Sequence, residues 1–368
     1  MRILWLTNVP SPYRVDFFNE LGKQCELTVL FEKRTSDERD KSWQNYKFEK
    51  FDGIFLRGKS VNTDTAICPE VIRYIKKDSY DFVVVTNISS PTGILAIAYM
   101  RANRIPYWIE GDGGFAKKNS GIKHRLKTFE IKNAEGCFST SKVHDEYYIA
   151  YGAAPAKIHR YPFTSISTAD LLQAKSLSTT NKCGFRKELN MSERYIILSV
   201  GRFSYQNGYG KGYDVLMHLA EKMGDEYGFY LVGDEPTEEF IVWKEQKRLE
   251  HVHFVGFRQK KELAKYYAAA DVFVLLSRGE AWGLVINEAM AYGLPIVTTD
   301  LCVAGTELVK DSVNGYIVSF EAEPEIIDRI RLCIDNQEEY GSESRRIIEH
   351  YTTEAMANKH VDILGGYK

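Results

Sequence analysis

Short apolar runs of strand length recur along this chain, each pair separated by enough residues for a helix. In the first half they lie at 3–6, 27–31, 82–86, 107–109 and 136–139; in the second, at 195–200, 228–232, 252–255, 272–276 and 295–298. A strand whose apolar residues run on, instead of alternating with polar ones, is buried on both faces. Repeated strand–helix alternation of this kind predicts parallel sheets with helices on both sides, because a parallel pair needs a long crossover. At 368 residues the chain is too long for one ordinary core, so two doubly wound α/β domains are expected. The stretch 164–192, rich in Ser, Thr and Lys with little apolar periodicity, reads as the region of the crossing, with the linker placed within 166–192.

Composition narrows the function classes. Apolar residues make up 44% and charged residues 27%, as in a water-soluble globular protein. Net charge is −2, which gives the whole molecule no electrostatic pull toward nucleic acid. The six cysteines are scattered without a Cys-x-x-Cys pair, so neither a zinc site nor a disulfide framework is expected, and a reducing cytoplasm fits. The start, Met1 to Asn8, is too short an apolar run for a signal peptide. The apolar stretch 82–100 is broken by Ser, Pro and Gly, and is no membrane span. No Gly-x-Gly-x-x-Gly follows the first strand, which argues against a nicotinamide dehydrogenase.

Residues 277–293 carry the strongest chemical signal. A buried strand runs into Ser277-Arg278-Gly279-Glu280-Ala281-Trp282-Gly283, and Leu284 to Tyr292 reads as a helix closed by Gly293 and Pro295. Glu280 falls in the loop and Glu288 on the helix's second turn. Backbone N–H groups of Ala281 to Leu284 would face the loop, where the helix dipole favours an anion. Acids near a helix start are common for dipole reasons alone, so the pair by itself decides little.

Its surroundings decide more. The Glu-x7-Glu spacing, the following Ala289-Met290-Ala291-x-Gly293-x-Pro295 and the preceding Ala270-Asp271, Val274 and Ser277 together resemble the family-4 retaining glycosyltransferases. Ala281-Trp282-Gly283 departs from the usual Gly-Phe-Gly. The resemblance implies the GT-B fold: α/β, two doubly wound Rossmann-like domains facing across a cleft. It assigns 1–165 as an N-terminal acceptor-binding domain, 166–345 as a C-terminal nucleotide-sugar donor domain, and 346–368 as a C-terminal helix returning toward the first. It implies transfer of a sugar from a UDP- or GDP-sugar, with no other cofactor. The expected acceptor is a glycan or a polyprenyl-pyrophosphate-linked glycan of capsule or O-antigen type. Alternatives of other classes are a catalytically silent binding protein of the same fold and a sugar-nucleotide epimerase.

Donor-side residues follow by the same match. Arg202 and Lys211, in Gly201-Arg202 and Lys211-Gly212, would hold the two phosphates, Arg as a planar fork and Lys as a point charge. Gly233 marks a turn after the second donor-domain strand, and Gly256, Phe257 and Arg258 the loop that cradles the base. Glu280, Ala281, Trp282, Gly283, Leu284 and Glu288 complete the donor set. No Asp-x-Asp occurs, so no metal site is expected, and the helix end with Arg202 and Lys211 would replace a divalent ion. His253, inside an apolar strand, reads as a sheet-face histidine.

On the acceptor side, Ser11, Tyr13 and Arg14 follow the first strand in a proline-rich turn where many relatives carry a glycine pair. Glu110 and Asp112 stand near the point where many relatives place a histidine. Either is expected to position or deprotonate an acceptor hydroxyl, although an Asp-Gly turn with no chemistry has the same appearance. Between Arg101 and Arg160, eleven Lys/Arg outnumber six Asp/Glu, with Lys117, Lys118, Lys123, Arg125, Lys127 and Lys132 grouped. Phe115, Ile122, Leu126, Phe129 and Ile131 lie among them. Such a segment suits peripheral attachment to an anionic membrane at its cytoplasmic face.

Overall fold

The computed structural model describes residues 1–35, 46–76, 80–116 and 121–367. They divide into two compact units, Met1–Ser165 with Thr352–Lys368, and Ile166–Tyr351.

The first unit contains β1 (Arg2–Thr7), β2 (Glu26–Phe31), β3 (Asp52–Phe55), β4 (Lys59–Ser60), β5 (Ala66–Ile67), β6 (Phe82–Val85), β7 (Trp108–Glu110), β8 (Gly136–Ser139) and β9 (Ile158–Arg160). Seven of these form a sheet in the order β3-β2-β1-β6-β7-β8-β9, every pair parallel; β4 and β5 make a small antiparallel hairpin. The second unit contains β10 (Tyr195–Val200), β11 (Tyr227–Val232), β12 (Val252–Gly256), β13 (Val272–Leu275), β14 (Ile296–Thr299) and β15 (Gly315–Val318). They form a parallel sheet in the order β12-β11-β10-β13-β14-β15. The continuous apolar runs are the sheet interiors: from Ile3 to Thr7 and from Val272 to Leu275 every residue is buried. Strand order reverses between β1 and β6 in the first unit and between β10 and β13 in the second. Loops leaving the carboxyl ends at such a switch point diverge and leave a crevice, where ligands of open α/β sheets bind.

Two sequence expectations need correcting. The supposed linker at 166–192 is mostly helical, with helices Thr168–Thr180 and Lys182–Glu188. The first starts on a capping box in which Ser167 and Asp170 satisfy each other's backbone N–H groups. That cap stabilises a helix whose apolar face is too weak to show periodicity. The returning helix expected over 346–368 starts later than that: helix Gln337–Ile348 belongs to the second unit, and Thr353–Gly365 to the first. The latter lies on helix Pro12–Leu21, with the His360 ring 4.9 Å from Phe17.

Asp271 shows why an acid precedes β13. Its carboxylate accepts from Lys182 Nζ, Arg186 Nη2 and the Ile196 N–H, each at 2.6 Å, tying helix Lys182–Glu188 to the start of β10. It is an architectural residue, remote from the carboxyl ends of the strands.

Candidate active site

In the second unit the loops after β10, β11, β12 and β13 meet along the carboxyl edge of the sheet. Gly201 and Gly233 sit so close that a Cβ on Gly233 would stand 1.7 Å from the Gly201 carbonyl oxygen. Any side chain at 233 would force the two loops apart, and with them Arg202. Asp234 then fastens the β10 loop, accepting from the backbone N–H of Phe203 and from the N–H and hydroxyl of Ser204. The Gly233 N–H donates to the Gly256 carbonyl at 3.2 Å, which brings in the third loop. There the Phe257 ring is 47% exposed, available for stacking, and Arg258 Nη1 donates to the Phe257 carbonyl. His253 lies on β12 with its ring stacked 4.3 Å from Tyr230 and Nε2 2.5 Å from Glu193 Oε1, as a sheet-face histidine should.

The structure joins Lys211 to Glu280. Lys211 arrives from β10 and Glu280 from β13, on the two sides of the switch point, and Lys211 Nζ donates to Glu280 Oε2. Glu280 is also fixed through its backbone: its N–H donates to the Leu301 carbonyl and its carbonyl accepts from Val303. Helix Leu284–Ala291 begins just beyond, capped by Gly283 without a side-chain acceptor and with no acid in its first turn. A helix start left this way keeps free N–H donors for an external anion.

Trp282 plays a different part from the one expected. Its side chain is only 2% exposed, and its indole N–H donates to Asn287 Oδ1 at 2.7 Å. Its carbonyl accepts from Ala304 N–H and Cys302 Sγ. The ring therefore anchors the loop from inside, and the Trp282 side chain is not among the groups left to meet a ligand. Glu288 is half-buried one turn into the helix, where the Tyr267 hydroxyl donates to its Oε2 at 2.9 Å. Tyr267 was not singled out from sequence. It lies on helix Lys260–Ala269, and nothing but contact identifies it.

In the first unit Tyr13, Arg14, Glu110 and Asp112 assemble into one network, buried at Arg14 and Glu110 and open at Asp112. Arg14 is 2% exposed; its Nη1 donates to Glu110 Oε1 at 2.6 Å and its Nη2 to Asp112 Oδ1. Tyr13 donates its hydroxyl to Asp112 Oδ2 at 2.7 Å. Tyr161 donates to Glu110 Oε1 at 2.7 Å and Thr86 to Oε2 at 3.1 Å. The Thr86 oxygen itself accepts from the Trp5 indole N–H, so its own proton must point to Glu110. Donors thus converge on Glu110, an arrangement that suits the carboxylate form even though burial pushes its pKa upward.

This corrects the expectation for Glu110 and Arg14. Glu110 is wholly buried and cannot reach an acceptor; it is the counter-ion of Arg14, whose guanidinium is equally enclosed. Asp112 is 39% exposed, and of the two acids it alone can meet a ligand. Ser11 is nearly buried and serves as the backbone cap of helix Pro12–Leu21, accepting from Arg14 and Val15 N–H. Two histidines sequence reading passed over lie here. The His144 ring abuts Gly111, held neutral by burial that lowers its pKa to about 4. His360, from the last helix, has Nε2 3.9 Å from Glu110 and is likewise neutral, its pKa lowered to about 3 by burial.

Of the basic segment, Lys117 and Lys118 lie outside the described residues. Helix Ile122–Lys132 exposes Ile122 and Phe129 together with Lys123, Arg125 and Lys132. Lys127 turns inward instead, donating to the Tyr147 hydroxyl at 3.2 Å, and Ile131 is in the core. No helix among the described residues is long and apolar enough to cross a membrane.

Residues 184–354 match the family model for Glycosyl transferases group 1. An uncharacterized 41.2 kDa protein in the cps region of Klebsiella pneumoniae is 30% identical over 187 residues, 50% of this chain and 49% of that protein. The amylovoran biosynthesis glycosyltransferase AmsD of Erwinia amylovora is 30% identical over 127 residues, 34% of each chain. The chain spans about half the length of the first curated relatives it matches. The crystal structure of Anabaena HepE in complex with UDP is similar at a TM-score of 0.79 and 17% identity, covering 100% of both chains. The segment 184–354, most of the second unit, thus belongs to the group 1 glycosyl transferases, and the chain has the GT-B fold.

Proposed function

We propose that this chain is a retaining glycosyltransferase that moves a sugar from a UDP- or GDP-sugar to a glycan or polyprenyl-pyrophosphate-linked acceptor in surface-polysaccharide assembly. The observation that carries this reading is the Lys211–Glu280 pair at the switch point of the second sheet, beside a helix start with no side-chain cap. The cps-region and amylovoran relatives and the UDP bound to HepE support the substrate classes.

In this reading Arg202 and Lys211 hold the diphosphate, and Glu280, released by Lys211, accepts a hydrogen bond from a sugar hydroxyl. Glu288, steadied by Tyr267, accepts from the ribose. When the bond from the anomeric carbon to the phosphate oxygen breaks, its electron pair goes to the diphosphate. Fixed cations there stabilise the transition state more than the ground state. The acceptor oxygen bonds the anomeric carbon on the same face, and its proton passes to the departing phosphate oxygen. Asp112, held by Tyr13 and Arg14, orients the acceptor hydroxyl. Charge neutralisation falls to side chains and helix end, so no divalent ion is required.

The test is a panel of UDP- and GDP-sugars incubated with the protein and followed by NMR. Transfer or slow hydrolysis with the donor's anomeric configuration kept, strongly reduced in Glu280→Ala, is the expected result. An inverted product refutes the retaining mechanism. Interconversion of donor sugars points to an epimerase, and binding without turnover to a silent relative.

The same reading places the chain at the cytoplasmic face of a membrane. Ile122, Arg125, Phe129 and Lys132 recur at the spacing of a single helix face, and all four are exposed. Each cation near an anionic surface contributes about 1 kcal/mol, screened by salt. Binding to anionic but not neutral vesicles, lost in Arg125→Glu/Phe129→Ser with nucleotide binding intact, is expected. Equal binding to both vesicle types, or to neither, removes the role.

A further inference from the structure

The loop that carries Lys211 has an unusual backbone. Gln206, Asn207 and Gly208 follow one another in left-handed conformation, at φ 53°, 55° and 80°. Side chains other than glycine resist this region, and consecutive residues there persist only when their surroundings impose it. Phe240 and Phe203 crowd Gly208, and the far end of the loop is held by Arg278, two residues before Glu280. Its backbone N–H donates to the Gly210 carbonyl at 3.1 Å, and Nη1 donates to the Tyr209 carbonyl at 2.5 Å. The guanidinium also grips Asp214, Nη1 to Oδ1 and Nη2 to Oδ2, both at 2.7 Å. Its Cζ lies 4.8 Å from the Phe320 ring centre. Arg278 therefore holds the chain on both sides of Lys211, at 209–210 before it and at 214 after it. Little slack remains: a Cβ on Gly212 would stand 2.2 Å from the Leu276 carbonyl oxygen.

We propose that Arg278 is a positioning residue: its fork on Asp214 and Tyr209 locks the 205–211 loop to the Glu280 loop, so that the Lys211 ammonium is already placed for a nucleoside diphosphate. The proposal rests on the donor-side reading of Lys211 and Glu280. Planarity is what the site uses, since two parallel bonds to a carboxylate fix direction as well as distance, and an ammonium offers neither. A lysine left free to swing would meet the diphosphate only after paying ordering entropy, and a misplacement of about 1 Å costs as much as a hundredfold.

The test uses the full chain. Hydrogen exchange over residues 203–214 reads the loop; calorimetry with UDP, uridine, GDP and guanosine reads the phosphate site. In Arg278→Met and Asp214→Asn the loop amides should exchange at least about tenfold faster. The diphosphate that the wild type binds should lose roughly tenfold to a hundredfold in affinity, with its bare nucleoside unchanged. Arg278→Lys should resemble Arg278→Met, and the double variant should be no worse than either single one. Lys211→Met separates the effects: it should lose diphosphate affinity while loop exchange stays at the wild-type rate. Wild-type exchange in the folded Arg278 and Asp214 variants overturns the proposal. So does a loosened loop with diphosphate affinity intact, or a parallel loss of nucleoside binding. If the wild type binds neither diphosphate, the donor reading falls and the exchange rates alone decide the clamp.

Discussion

Replacing Arg14 with methionine removes the only cation bonded to Glu110 among the described residues and leaves that carboxylate enclosed. Breaking a buried pair from one side costs about 3–5 kcal/mol, because the remaining charge loses its partner without regaining water. Glu110 keeps the hydroxyls of Tyr161 and Thr86, which places the expected loss toward the lower end. For a unit of this size that is roughly 10 °C in melting temperature. Glu110→Gln should cost less, about 1–2 kcal/mol, since Arg14 retains Asp112 and an amide oxygen still accepts from Tyr161. The double variant should lose about 2 kcal/mol less than the sum of the two. The pH dependence has a definite sign. A carboxyl whose folded pKa is raised contributes stability present below its ordinary value and lost as pH rises through the raised one. Without Arg14 the carboxyl rises further, so the deficit of Arg14→Met should be smallest near the ordinary carboxyl range and grow as pH rises above it. Urea unfolding read by hydrogen exchange on peptides of β1 and β7 isolates the first unit. A loss under about 1 kcal/mol, additive single variants, or a deficit that shrinks with rising pH would refute the reasoning.

Glu288→Ala should mainly raise the donor KM, whereas Glu280→Ala should depress kcat more strongly, because only the second contact orients the reacting ring; folded variants with wild-type kinetics in both would contradict the assignment. Tyr267→Phe, which removes one bond to Glu288 at 2.9 Å, should weaken nucleotide binding severalfold in calorimetry while leaving the melting temperature within a few degrees. Gly233→Ala should lose nucleotide binding outright, since its methyl meets the Gly201 carbonyl oxygen; unchanged affinity would show that the two loops can part freely. Activity should survive EDTA, and a strict requirement for added magnesium or manganese would overturn the assignment of the phosphate charges to Arg202 and Lys211.

How much could be read beforehand depended on whether a residue's role is local in sequence. The interior strands of both sheets were visible because continuous apolar runs have few other uses; β3 and β9 were not, being short edge strands that bury less, and β15 has only four residues, one of them Gly315. The helices of 168–188 were hidden for the converse reason: their stability comes from a cap and from Asp271 rather than from an apolar stripe. At the site, positions set by backbone geometry were placed correctly from the sequence: Gly233 in a tight turn, Glu280 in the loop and Glu288 on the helix. Charge pairs were not. Lys211 and Glu280, 69 residues apart, and Arg14 and Glu110, 96 apart, appear in sequence as four independent candidates for contact with substrate. Folding sorts them by exposure: at 2% and 0% the Arg14–Glu110 pair is sealed, while at 14% and 22% the Lys211–Glu280 pair can exchange one partner for another. A sealed pair can only hold a shape, here that of Asp112, whereas a pair open to water can be separated by a ligand that offers each charge a better partner. A diphosphate for the lysine and a sugar hydroxyl for the glutamate make such a ligand, which is why the exposed pair is the one on which a donor site can be built.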